Sequence, residues 1–207
     1  MKIGIVDYGA CNLSSVYNSI YRLGYNPLVI KNLSDFKGLD RLIIPGVGAA
    51  KQCIDNLKEK KYFEEIFKFY KTGKPLLGIC LGMQIFGKNL FEHGKSDGFG
   101  IVDADIIKID KKNPFNIGWR RINLKENSNI KKIIPNKSCF YFCHSYFMSF
   151  NTSLEKNYCE GFVEEKKVIP SIVVKNNYVG TQFHPEKSQG LGEKFILNFI
   201  SKEDLIN

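Results

Sequence analysis

Three short segments of this 207-residue chain hold residue types at spacings that chemistry can use. The first is Gly78-Ile79-Cys80-Leu81-Gly82, where the apolar run 75–79 meets a helical pattern. Gly-x-Cys-x-Gly at a strand-to-helix junction is the nucleophile-elbow pattern with a thiol in place of a hydroxyl. The turn is sharp and strained, so larger side chains at 78 and 82 would crowd it. It sets the thiol at the carboxyl end of a sheet, where open α/β sheets bind ligands. A helix N-terminus beside it favours thiolate, the nucleophilic form. The alternative reading of Cys80 is a buried structural cysteine.

A thiol nucleophile needs a base, and the base needs a group that orients it. The chain has three histidines. His93, in the polar run Glu92-His93-Gly94, reads as solvated. His144 follows a strand pattern. His184 closes the strand pattern 178–183, and Glu186 lies two residues beyond it in Gln182-Phe183-His184-Pro185-Glu186. In an extended backbone positions i and i+2 point the same way, so Glu186 can reach one imidazole nitrogen while the other faces Cys80. Pro185 stiffens the link. The third segment, Pro45-Gly46-Val47-Gly48-Ala49, follows a strand and precedes a helix. Its glycines let backbone N–H groups approach a developing oxyanion, with the Leu81 N–H as second donor. A plain βα turn or a phosphate-binding loop is the alternative, but no Gly-Lys-Ser/Thr follows, so it is not a Walker loop.

The elements that must position these groups alternate. Strand patterns at 2–6, 27–30, 41–44 and 75–79 are separated by helical patterns at 12–23 and 50–70. Asn12 and Gly24 suit the ends of the first helix, and Gly73 closes the second helical region. Strands separated by helices of this length predict βαβ crossovers, hence a doubly wound, mostly parallel sheet flanked by helices. The second half changes texture, with a loop at 94–100 and strands at 101–110, 115–124 and 139–150. Strands 171–174 and 178–183 flank the turn Lys175-Asn176-Asn177, and a helix closes the chain at 193–200. The expectation is one domain over 1–207, an α/β core with added β hairpins and a mixed sheet.

Composition narrows the partners. The net charge is +9, but the lysines are scattered singly or in pairs such as Lys111-Lys112, Lys131-Lys132 and Lys166-Lys167. Only Arg22, Arg41, Arg120 and Arg121 supply guanidinium groups, which argues against a nucleic-acid surface. The six cysteines (11, 53, 80, 139, 143 and 159) form no Cys-x-x-Cys pair, so no metal is expected. Asp7 interrupts the opening apolar run too early for a signal peptide, and no run reaches a membrane-spanning length. The expectation is a cytoplasmic protein with reduced thiols and no membrane partner.

The three segments together resemble the class I, triad-type glutamine amidotransferases. The resemblance spans Asp7-Tyr8-Gly9 to Ser188-Gln189, through Gly-Ile-Cys-Leu-Gly-Met-Gln at 78–84 and Gly-Thr-Gln-Phe-His-Pro-Glu-Lys-Ser at 180–188. Pro-Gly-Val-Gly at 45–48 stands where most members have Pro-Gly-Gly. With Asn12-Leu13, Gly118-Trp119 and His144-Ser145-Tyr146, it resembles the glutaminase subunits of imidazole glycerol phosphate synthase, from histidine biosynthesis. The resemblance implies a flavodoxin-like fold, a catalytic triad of Cys80, His184 and Glu186, and oxyanion donors at Val47 or Gly48 and Leu81. It implies a glutamine site built with Gly46, Gln84, His144, Ser145 and Tyr146, and no cofactor. It further implies a heterodimer with a (β/α)₈ cyclase that receives the ammonia, contacted through Asn12, Trp119 and Lys187.

Three positions depart from that branch. Pro114-Phe115-Asn116-Ile117-Gly118-Trp119-Arg120 replaces the usual Pro-His-Met-Gly-Trp-Asn, so Asn116 and Arg120 stand for His and Asn. Ala50 stands where Phe is usual. These positions are expected toward the partner face and away from the triad. They leave open a paralogous subunit supplying ammonia for amidino sugars of bacterial surface polysaccharides. A partner-independent Cys hydrolase is the alternative outside the family.

Overall fold

The computed structural model describes residues 1–9, 12–110, 115–164 and 167–201. Cys11, Lys111, Lys112, Pro114 and Lys166 lie outside the described residues. The first half runs β1 (Ile3–Val6), α1 (Leu13–Arg22), β2 (Leu28–Ile30), β3 (Arg41–Ile44), α2 (Ala50–Glu59), α3 (Tyr62–Lys71), β4 (Leu76–Ile79) and α4 (Leu81–Gln84). The short strands β5 (Asn89–Leu90) and β6 (Ser96–Asp97) follow, then β7 (Ala104–Lys108), β8 (Asn116–Arg121) and β9 (Asn123–Leu124). Next come β10 (Cys139–His144), β11 (Tyr146–Phe150), α5 (Ser153–Lys156), β12 (Cys159–Glu164), β13 (Val168–Lys175), β14 (Tyr178–Thr181) and α6 (Gln189–Ser201).

The main sheet has eight strands in the order β2-β1-β3-β4-β14-β13-β12-β9. Its first five are parallel and the remaining pairings antiparallel. This is the mixed, mostly parallel doubly wound sheet that the sequence predicts. β1 and β4 are buried at every position because helices cover both faces, which is why they read as unbroken apolar runs. On one face Cys53, Ile54 and Leu57 of α2 and Ile66 of α3 pack in one core. On the other, Val16 and Ile20 of α1 meet Phe195 and Phe199 of α6. Strand order reverses between β1 and β3, so the crevice at their carboxyl ends is the switch point of the fold. The ends of β3, β4 and β14 open next to it.

Several expected boundaries differ. Segment 139–150 is not one strand; it bends at Ser145, and its halves join different sheets. β10 pairs with β8 in a two-stranded ribbon, whereas β11 pairs with β7 in a four-stranded sheet. The 94–100 loop contains β6, paired with β5 over two residues, too short for any periodicity to show. β12 was hidden by a register shift at Gly161, which breaks the alternation a strand displays. α4 is a single turn, and α6 starts at Gln189, ahead of the expected 193. Asn12 does occupy the N-cap of α1, but its side chain does not cap the backbone. It accepts from Ser15 Oγ at 2.8 Å and donates to Glu186 Oε1 at 3.2 Å.

Candidate active site

The elbow is held in a conformation that an L-residue rarely adopts. Cys80 has φ 54° and ψ −105°, between the end of β4 and α4. Such strain persists only where its surroundings over-determine it. The Cys80 N–H donates to Thr181 O at 2.7 Å, and its carbonyl accepts from the N–H groups of Met83 and Gln84 at 3.0 and 3.1 Å. A Cβ at Gly78 would collide with the carbonyl of Gly82, and one at Gly82 with the carbonyl of Ile44. A Cβ on Gly46 would lie 2.6 Å from the Gly82 nitrogen. The flanking glycines are therefore required by backbone packed on backbone. One expectation changes: α4 spans four residues, so few aligned peptides contribute to its dipole and its push toward thiolate is small.

His184 meets this thiol. It is 1% exposed and its Nδ1 lies 2.8 Å from Glu186 Oε1. The same ring faces Cys80, and with Nδ1 taken by Glu186 it is Nε2 that is left for the sulfur. Burial works against the imidazolium, but the Cys80 thiolate and Glu186 overcome it and raise the His184 pKa to about 10. The His184–Glu186 link is made by a tighter device than the extended backbone expected from sequence. Pro185–Lys187 forms a 3₁₀ turn with Pro185 in its first turn, where a missing N–H does no harm. Ser188 ties this turn down. Its Oγ donates to His184 O at 2.6 Å and accepts from Tyr141 N–H at 3.0 Å. Glu186 Oε2 is buried with no hydrogen-bond partner among the described residues.

A cavity of about 220 Å³ opens above Cys80. Val47, Gly48 and Leu81 border it on one side, and Gln84, His144, Ser145 and Tyr146 on the other. Gly46 does not line it; its missing Cβ is what lets the loop lie against Gly82 and Leu81. Gly48 has φ +102° with open space where a Cβ would be, so conformation and not packing demands glycine there.

Two lining residues escaped the sequence reading: Glu92 and Cys143. Glu92 Oε2 accepts the Ala50 N–H at 2.6 Å and so caps α2 directly behind the 45–49 loop. His93 beside it is exposed, as read. The acidic residue in the same tripeptide was the available signal.

His144 is neutral by construction. Its Nδ1 lies 2.8 Å from Tyr146 O, which can only accept, so that nitrogen carries the proton. Its Nε2 then accepts from Asn116 Nδ2 at 3.0 Å. Burial is the main reason its pKa falls to about 4. Asn116 is thus buried and bonded to a residue lining the cavity above Cys80, nearer the triad than expected. Ala50 is likewise buried. Trp119, by contrast, is 44% exposed on the outer face of the β8–β10 ribbon. It packs edge-on against Tyr141, over whose ring the Lys187 ammonium sits at 5.9 Å. Phe115 and Ile117 are exposed on the same strand or just before it. Among the described residues no cluster of His, Cys, Asp or Glu is arranged to hold a metal ion, and no helix is long and apolar enough to cross a membrane.

Comparison with known proteins agrees with this construction. The sequence model of class-I glutamine amidotransferases matches residues 4–202. The imidazole glycerol phosphate synthase subunit HisH of Caldanaerobacter subterraneus is 37% identical over 198 residues, covering 95% of this chain and 96% of that one. HisH of Escherichia coli K12 is 37% identical over 204 residues, covering 97% and 99%. Among solved structures, a glutamine amidotransferase superposes with a TM-score of 0.75 at 15% identity, covering 96% of both chains. PurLQS of Thermotoga maritima gives a TM-score of 0.73 at 16% identity, also covering 96% of both. At such identity these structures speak for the fold alone. Family match and near full-length relatives agree: this chain belongs to the class-I glutamine amidotransferase family and is an enzyme of that family.

Proposed function

We propose that the chain is the glutaminase subunit of a two-subunit synthase, with residues 1–207 forming one glutaminase domain. The observation that carries this reading is the strained Cys80 at the floor of the cavity, coupled in charge to a His184 that is bonded to Glu186. The Cys80 thiolate attacks the side-chain carbonyl carbon of glutamine, and the C–O π electrons move to oxygen. The Leu81 N–H and the N–H groups of Val47 or Gly48 hold that oxyanion. His184 passes its proton to the departing nitrogen, which leaves as ammonia, and the acyl group remains on sulfur as a thioester. His184 then takes a proton from water; the hydroxide attacks the thioester, and glutamate departs. Glu186 keeps the ring oriented, and Asn12 fixes Glu186 in turn. Glu92 is the carboxylate lining the cavity and suits the α-ammonium of glutamine, beside Gln84, His144, Ser145 and Tyr146.

The ammonia passes to a (β/α)₈ cyclase partner, as the HisH name of the relatives supports. That makes imidazole glycerol phosphate synthase of histidine biosynthesis, working in the cytoplasm on neither nucleic acid nor membrane, the leading reading. Trp119 and Lys187 lie on the exposed ribbon face that suits such a partner. The departures at Asn116 and Arg120 favour a second reading, the amidino-sugar paralogue. Rescue of a histidine auxotroph separates the two. The activity itself is tested by ammonia release from glutamine, with and without the synthase partner. Cys80→Ala is expected to lower it by roughly a thousandfold or more. Full ammonia release by that variant would sink the mechanism.

A further inference from the structure

Gln182 stands two residues before His184, and the mechanism above leaves it idle. It is fully buried, and its main-chain N–H donates to Ser171 O at 2.9 Å. Its side-chain amide lies between Gln84 and Cys80, 3.1 Å from Gln84 Nε2 and 3.7 Å from Cys80 Sγ. Hydrogen-bond accounting decides which end faces which. Tyr146 O can only accept, so the Gln84 atom 2.7 Å from it is the nitrogen. The second N–H of that nitrogen needs an acceptor, so Gln182 turns its oxygen toward Gln84. Its NH₂ group therefore faces the sulfur.

We propose that Gln182 is a further catalytic residue, whose amide N–H donates to the Cys80 sulfur and favours the thiolate before attack. A donor aimed at the charged form stabilises it, and sulfur accepts far better as thiolate than as thiol. The sulfur needs that help. It lies 3.9 Å from the carbonyl oxygen of Cys143, which favours the protonated thiol and repels the anion. The single turn of α4 offers little dipole to offset this. Gln182 and His184 thus act as two donors from the one segment that follows β14, and the chain Tyr146–Gln84–Gln182 holds the first in its orientation.

The inference rests on Cys80 being the nucleophile, and its test is independent of turnover. The full-length chain is alkylated with iodoacetamide, and the rate at Cys80 is followed by peptide mass spectrometry as a function of pH. Gln182→Glu keeps an oxygen for Gln84 but replaces the donor by a charge; Gln182→Leu removes both groups. Below the midpoint of the parent's own pH–rate profile, both variants are expected to alkylate Cys80 about tenfold more slowly than the parent, equivalent to about 1.4 kcal/mol, with Glu the slower. Above the variants' own midpoints the rates converge, because the sulfur is then ionised in every form. A parental pH–rate profile in either folded variant overturns the inference. So does an equal slowing at every pH, which is what a merely structural role produces. Should the Leu variant fail to fold, the Glu variant decides. Persisting ammonia release in Cys80→Ala would instead defeat the nucleophile assignment, without touching the alkylation contrast.

Discussion

Two glycine-bearing loops pack against each other beside the cavity, and they are built to different tolerances. In the elbow wall, Gly78 and Gly82 leave no room for a single added carbon, because backbone lies against backbone. In the 45–49 loop, Gly48 needs its positive φ, yet open space surrounds the place of a Cβ. The elbow must hold a nucleophile in a strained turn, and only close packing on both sides can do that. The 45–49 loop has no such jacket. It is tied at Gly46, which packs on Gly82, and at Ala50, which donates to Glu92. Between these anchors Val47 is 38% exposed and Gly48 has open space where a Cβ would be. One wall is fixed, while the other has room to adjust to substrate or partner.

The contrast can be broken at the triad first. Glu186→Gln leaves the volume of the site intact but takes the charged acceptor from His184 Nδ1. Steady-state glutaminase kinetics are expected to show kcat down by about 10³–10⁴ with KM little changed; a loss below tenfold would show that Glu186 does not orient the base. Gly82→Ala attacks the fixed wall sterically. The new carbon meets the Ile44 carbonyl, so unfolding in urea should show a loss of more than about 3 kcal/mol together with loss of activity.

The ionisation of His144 tests how much of the side of the cavity opposite the 45–49 loop is fixed by charge state. Its folded pKa of about 4 lies below the unfolded value of about 6.5. The unfolded chain therefore binds the extra proton first. This group's stabilisation is complete above about pH 6.5 and declines as pH falls toward 4, by about 3 kcal/mol at most. Urea unfolding of the parent and His144→Asn across that window isolates the slope, and parallel profiles would refute the assignment. The smallest expected effect is Gly48→Ala. It clashes with nothing, so the left-handed conformation alone costs about 1 kcal/mol, a shift of about 2–4 °C in Tm. If Gly48→Ala destabilised as much as Gly82→Ala, the two walls would not differ.

Legibility in the sequence followed the range of the interactions. Cys80 with its glycines, and His184 with Glu186, are local constellations whose spacing encodes their geometry, so they could be read directly. The parallel strands were legible for the same reason, since burial on both faces leaves uninterrupted apolar runs. Glu92, Cys143 and Asn116 were not, because a fold and not a spacing brings them to the pocket. Asn116 reaches His144 only through the antiparallel pairing of β8 and β10. Gln182 is a partial exception. Its two-residue spacing from His184 is visible in the sequence, and only the position of Gln84, from the distant elbow, shows which way its amide points.

The central claim is that Cys80 alone among the six thiols attacks the glutamine amide. Its most direct test is a glutamine analogue bearing a diazoketone or chloroketone in place of the amide, followed by mass mapping of the intact chain and its peptides. The account predicts one adduct, on Cys80, suppressed by excess glutamine and abolished in Cys80→Ala. An adduct on Cys143 at the rim of the same cavity, or labelling that survives Cys80→Ala, would contradict it.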